Sequence, residues 1–196
     1  TLEEPNSRVL LILTAESAEL LLPTIVSRCA VLRLRPLPLE QIRLGLQARW
    51  GVPEDQARLL ASISNGRPGY AVYLHQHPEQ QEQRARWLAE HHRLVQSGRV
   101  ERFKFAEGSS KNKEALRGLL FVWLSLWRDV LLMAAGVEAP PANPDQWNEI
   151  NALAGRFGWQ RASQVVAALE NTIRLIDQNV NARLAFEVLL LEIPGL

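Results

Sequence analysis

The break Pro36-Leu37-Pro38 constrains this chain most, because it separates two regimes of pattern. Two prolines in three residues remove two amide donors and fix φ at two positions, so neither a helix nor a central strand runs through them. Ahead of the break, Arg8-Val9-Leu10-Leu11-Ile12-Leu13-Thr14 is a short continuous apolar run. Such runs suit strands buried on both faces. Ala30-Val31-Leu32-Arg33-Leu34-Arg35 is a second, shorter run that alternates near its end. Between them, Ser17 to Ser27 reads as a turn of helix and then a new helix with Pro23 in its first turn, where a missing N–H costs nothing. Strand, helix, strand is one βαβ-like unit. Two strands do not make a stable parallel sheet alone, so the chain reads as starting inside an α/β domain.

Beyond the break the spacing is helical throughout. Leu39, Ile42, Leu46 and Trp50 share one face, and Ala57, Leu60, Ala61 and Ser64 share another. Asn65-Gly66 is a helix-stop signal and Pro68 opens a third short helix through Leu74. From Pro78 the helices lengthen. Glu79–Ser97, Glu114–Ala135, Pro144–Phe157, Gln160–Gln178 and a last helix capped by Asn181 make five. The second of these is apolar almost all round and belongs at the centre of a bundle. Arg99 to Lys113 reads as a polar, partly basic connection. The expectation is a mainly α chain: a βαβ remnant over 1–37, a three-helix module over 38–77 and a five-helix bundle over 78–196.

Composition removes several function classes. With 47% hydrophobic and 22% charged residues the chain can bury a core. Its net charge of +1 is far from the basic excess of a free-standing DNA binder. One cysteine, Cys29, rules out a disulfide framework and a cysteine-based zinc site, and suits a reducing cytoplasm. Arg128-Asp129 splits the apolar stretch Gly118–Ala135 into pieces too short to span a bilayer.

Two short stretches say more. Leu2-Glu3-Glu4-Pro5 precedes an apolar run ending in Thr14, and Leu21-Leu22-Pro23-Thr24-Ile25-Val26 leads into Ser27-Arg28-Cys29. In that context the chain resembles the clamp-loader branch of the AAA+ ATPases, and Ser27-Arg28-Cys29 resembles that family's arginine-finger motif. Pro36-Leu37 and the three-helix module resemble the family's small lid. Asn179-Val180-Asn181-Ala182-Arg183-Leu184-Ala185-Phe186-Glu187 resembles the end of its helical collar.

The resemblance implies a subunit of a ring-like hetero-oligomer held by its collars. Its partners would be the clamp-loader ATPase subunits and the delta subunit. Sliding clamp and primer-template DNA would be met through the assembled complex. The chain would bind no cofactor by itself. ATP and magnesium would sit at a neighbouring subunit's site, which Arg28 reaches in trans, and Thr14 would stand at the sensor-1 position. The compartment would be a bacterial cytoplasm, at the nucleoid. The phosphate-gripping loop G-x-x-x-x-G-K-[ST] and a Walker B acidic run are absent from these residues, so the chain is not expected to be an enzyme by itself. Where ATP-binding relatives carry an arginine in the lid, Gly66-Arg67-Pro68-Gly69-Tyr70-Ala71 has Gly69. This favours a subunit that assists its neighbour over the ATP-hydrolysing gamma/tau-type subunit, which is the first alternative. A helical interaction scaffold unrelated to replication is the second.

Other candidates read as structural. His75, His77, His91 and His92 lack metal-ligand spacing and partners. Trp123 and Trp127 lie on the all-apolar helix and belong to the core. Arg99, Arg102, Lys104, Lys111 and Lys113, interspersed with Glu101 and Glu107, read as a solvated loop. Cys29 reads as a small buried hydrophobe.

Overall fold

The computed structural model describes residues 8–15, 17–178 and 180–195. The Leu2-Glu3-Glu4-Pro5 stretch and Asn179 lie outside the described residues. Contacts divide the chain into two compact units, 1–36 and 37–196.

In the first unit, a 3₁₀ turn covers Ala18–Leu20 and helix α1 covers Pro23–Val26. Ser17 caps the turn by accepting the Glu19 amide at 3.2 Å. Pro23 occupies the first helical turn, where the sequence placed it. Neither expected strand is paired among the described residues. Residues 9–15 and 30–36 have no regular assignment, and Leu10, Ile12, Leu32 and Leu34 are exposed. The physical reason is the one the sequence foreshadowed: an apolar run becomes a strand only when neighbouring backbone supplies its hydrogen bonds.

The second unit is all helical among its described residues. Its first three helices are α2 (Leu39–Trp50), α3 (Glu54–Ile63) and α4 (Pro68–Gln76). They close on one hydrophobic cluster that includes Ile42, Leu46, Val52, Leu60, Ala71 and Leu74. Gly51, at φ +64°, ends α2 in the left-handed conformation, and its amide donates to the Gln47 carbonyl at 3.1 Å. Asn65 and Gly66 both take positive φ after α3, and Gly66 then accepts the Leu37 amide at 2.8 Å. Arg43 is held by Glu40 and Glu54, and Gln47 also reaches Glu54 at 2.7 Å, tying α2 to α3.

The longer helices are α5 (Pro78–Val95), α6 (Arg99–Ser109), α7 (Lys113–Ala134), α8 (Trp147–Asp177) and α9 (Ala182–Glu192). A second cluster is built around α7, with Leu116, Leu120, Trp123, Leu126, Trp127 and Val130 all buried. The two tryptophans are fully enclosed at 0% exposure, so base stacking is closed to them. Each burial of this size contributes about 1.5–3 kcal/mol. Helix α8 combines the two helices read from the sequence. Gly158, at φ +69° and ψ 173°, interrupts it at the expected junction. Asn181 caps α9 by accepting the Leu184 amide at 3.2 Å.

One segment departs from the sequence reading. Residues 99–109 form a helix, not a connection, and Arg102 and Ala106 on its inner face are buried. The Arg102 guanidinium takes the place of an apolar side chain by capping two helix ends. Its Nε donates to the Leu94 carbonyl (3.0 Å) at the end of α5. Its Nη1 donates to the carbonyls of Leu190 and Ile193 (both 2.7 Å) at the end of α9. The Leu94 carbonyl, which also takes the Ser97 amide at 3.1 Å, and those of Leu190 and Ile193 lie at the negative ends of their helix dipoles, so a buried cation is compensated there without a carboxylate.

Candidate functional site

The Ser27-Arg28-Cys29 tripeptide emerges from the C-terminal end of α1. The last turn tightens: the Arg28 amide donates to the Ile25 carbonyl at 3.1 Å, an i to i+3 bond, and Cys29 repeats this with Val26 at 3.3 Å. Ser27 and Arg28 are exposed and Cys29 is half-buried, less enclosed than the sequence suggested. The Arg28 Nη1 and the Ser27 hydroxyl both donate to the carbonyl of Thr24, each at 3.3 Å. Arg28 thus ends a short rigid turn with its guanidinium at the surface of its unit. A planar, permanently charged fork in that position can take up an anionic oxygen in a bidentate way.

The same unit holds a second ordered pair. Arg33 donates to Glu19 at 2.7 Å, joining the 30–36 segment to the 3₁₀ turn. The Ser17 hydroxyl, then the Glu19 amide and Arg33, hold the Glu19 carboxyl down at about 2. Glu19 is therefore ionised at any working pH and screens Arg33. Thr14 is exposed, in a segment without regular secondary structure.

In the three-helix cluster, a groove of about 560 Å³ lies between α2 and α4, lined by Leu37, Gln41, Gly45, Trp50, Gly69 and Val72, with Arg49 among its polar residues. Gly69 brings no side chain to this groove. Arg67 donates through Nε to the Ser64 carbonyl at 3.0 Å and lies over the Tyr70 ring, 5.0 Å from its centroid. That arginine is occupied by its own turn.

The histidines are dispersed. His91 is buried against Trp127, His92 pairs with Glu149 at 2.6 Å, and His77 pairs with Glu79 at 2.9 Å. No cluster of metal-ligating residues exists among the described residues. No helix among them is long and apolar enough to cross a membrane.

Sequence reasoning missed one constellation. Asp129 accepts the amides of Ala142 (3.0 Å) and Asn143 (2.8 Å) and the Asn143 side-chain amide (2.9 Å). Arg84 then grips Asp145 in a bidentate pair at 2.7 and 2.9 Å and reaches Asn143 Oδ1 at 2.7 Å. This buried network fastens the loop after α7 to α5 and α7. The interruption of the apolar run at Asp129 was its only signal in the sequence.

These features define a mainly helical protein with an exposed arginine at the end of a short helix in a small unit of its own, and no cluster of metal-ligating residues among the described residues. Residues 1–38 match the family described as DNA polymerase III, delta subunit, and residues 78–194, more than half of the chain, match DNA polymerase III, delta subunit, C terminal. The chain belongs to this DNA polymerase III delta-subunit family. It is 31% identical over 195 residues to the DNA polymerase III subunit delta' of Bacillus subtilis (strain 168), a match that takes in 97% of this chain and 58% of that protein. The chain thus spans somewhat over half the length of this curated relative.

Proposed function

We propose that this chain acts in DNA replication as a delta'-type subunit of the clamp loader. It assembles with the other subunits through the helices of 78–196 and donates Arg28 in trans to a neighbour's ATP site. The lid corresponds to 38–77 and the AAA+ remnant to 1–37. The place of action is the bacterial cytoplasm, and sliding clamp and primer-template DNA are partners of the whole assembly.

The observation that carries this reading is the exposed Arg28 guanidinium on the tightened end of α1, in a chain of this family. Phosphoryl transfer spreads negative charge over the γ-phosphate oxygens, and an arginine supplied from a neighbour stabilises it by roughly 10³–10⁵ in rate. Supplying it in trans makes hydrolysis depend on correct assembly. Gly69 supports the assisting role over the hydrolysing one, because a glycine in the lid groove gives a bound nucleotide no charge at that position. ATP and magnesium belong to the neighbouring subunit in this scheme, and the chain is not an enzyme by itself. Thr14, at the sensor-1 position, has no nucleotide of its own to sense.

The test is ATP turnover by the reconstituted clamp loader carrying Arg28→Ala in this subunit. A marked fall is expected; unchanged turnover would defeat the assignment.

A further inference from the structure

Helix α9 is apolar on two opposite sides. Inward it buries Ala185, Phe186, Leu189 and Leu190. Outward, Leu184, Val188 and Leu191 stand 57%, 56% and 48% exposed. Their i, i+4, i+7 spacing makes one straight stripe about 10 Å long. A helix apolar all round belongs in an interior, and this one has its outer face uncovered. Helix α8, packed beside it, turns Gln164, Glu170, Asn171 and Arg174 to solvent instead. Helix α6 widens the stripe. It runs antiparallel to α9, since Arg102 reaches the carbonyls of Leu190 and Ile193 while Glu107 pairs with Arg183 at 3.0 Å. Phe103 and Val100, one and two turns before Glu107, share its side of α6 and are exposed as well.

The charged residues between the stripe and α6 are already paired: Arg183 holds both Glu107 and Glu187. Glu192 stands at the far end, in the place of a polar rim. A surface laid on the centre of this face meets no charge that could compensate one of its own, so a matching occupant is uncharged there. The straight stripe has the form into which the ridges of another helix fit. Five side chains about half uncovered expose on the order of 400 Å² of apolar surface, roughly half of what one partner gives to a standard interface and well below an obligate dimer. That extent suits the apolar centre of one contact among several. We infer that the outer face of α9, flanked by Val100 and Phe103, seats an aliphatic, uncharged helix face of a neighbouring subunit in the clamp loader. The inference rests on the assembly reading above and specifies which face within 78–196 makes the contact.

The experiment titrates this subunit into the remaining clamp-loader subunits and reads the mass of the complex by sedimentation, with thermal unfolding of each variant recorded alongside. Val188→Glu, at the centre of the stripe, should weaken incorporation by about thirtyfold or more, the effect of a central interface residue. Val137→Glu, which changes a similarly exposed valine in the loop after α7, should assemble normally. Val188→Thr keeps the shape of valine and so decides the matter where the glutamate lowers the unfolding temperature. An interface that buries its hydroxyl should still weaken by about fivefold or more. Normal incorporation of the folded Val188 variants overturns the inference and leaves the delta'-type reading standing. An equal loss in Val137→Glu also overturns it, since the effect would not belong to α9. So does a chain that dimerises alone through Val188 yet joins the complex normally as Val188→Glu, because the face would then seat a second copy. If the unaltered subunit fails to join the complex, the delta'-type reading fails and the inference falls with it.

Discussion

The indole N–H of Trp127 donates to Nε2 of His91 at 2.8 Å, one turn of α7 beyond the indole of Trp123, which donates to the Trp87 carbonyl at 2.9 Å. Because Nε2 accepts, the proton of the neutral imidazole sits on Nδ1, which has no hydrogen-bond partner among the described residues. The ring is 1% exposed and packs edge-on against both tryptophans, with centroids 5.3 and 5.8 Å away.

That placement gives the fold a pH dependence. Burial first, then the charges of His92 and Arg102, push the His91 pKa down to about 3 from an ordinary 6.5. The folded state therefore holds this ring neutral, while the unfolded chain protonates it below about pH 6.5. Stability is full above that pH and is lost as pH falls through 6.5 toward 3, at up to about 1.4 kcal/mol per pH unit for this one proton. Denaturant unfolding at pH 7 and pH 5 should show the loss. In His91→Gln, whose side-chain oxygen keeps an acceptor for Trp127, the difference should shrink. An equal loss in both proteins would show that other groups govern the acid limb.

Arg102 should be irreplaceable by lysine. A guanidinium serves the carbonyls of Leu94, Ser97, Leu190 and Ile193 at 2.7–3.2 Å from a fixed fork, and an ammonium cannot span two helix ends in that way. Arg102→Lys is expected to cost about 1.5–3 kcal/mol by chemical denaturation, and Arg102→Ala more. A change below about 0.5 kcal/mol for the lysine variant would contradict the capping role.

The Asp129 network makes a local prediction. Asp129→Ala leaves the amides of Ala142 and Asn143 without their acceptor in a buried place, and leaves the Asn143 side-chain amide only Ser125 Oγ at 2.9 Å of its two acceptors. Hydrogen exchange at those two amides should speed up well beyond any change at α3, because the loop after α7 loses its anchor while the first cluster does not. Uniform acceleration over the whole chain would mean that the network holds the fold and not the loop.

Much of this was legible in the sequence. The apolar spacing around Trp123 and Trp127 identified the central helix, and Pro23, Asn65-Gly66 and Asn181 marked helix ends that the structure keeps. Three things were not legible, for different reasons. Helix α6 escaped because its inner face carries Arg102, whose charge is neutralised by carbonyls from helices far away in sequence. Asp129 read as a mere interruption because its partners lie in a loop without pattern. The runs ending in Thr14 and Arg35 carry strand composition, yet a strand is a property of a pair, and their composition says nothing about which backbone completes them. The tripeptide at 27–29 was legible as a motif, while the shared carbonyl of Thr24 beneath it became visible only in three dimensions.

The central claim is that Arg28 acts on a nucleotide held by another subunit. It is tested most directly by assembling the clamp loader with Arg28→Ala and measuring, on the same sample, the mass of the complex and its rate of ATP hydrolysis. The account predicts a complex of unchanged mass and a neighbouring ATP site slowed by roughly 10³-fold or more. An intact complex that hydrolyses ATP at the normal rate would contradict it.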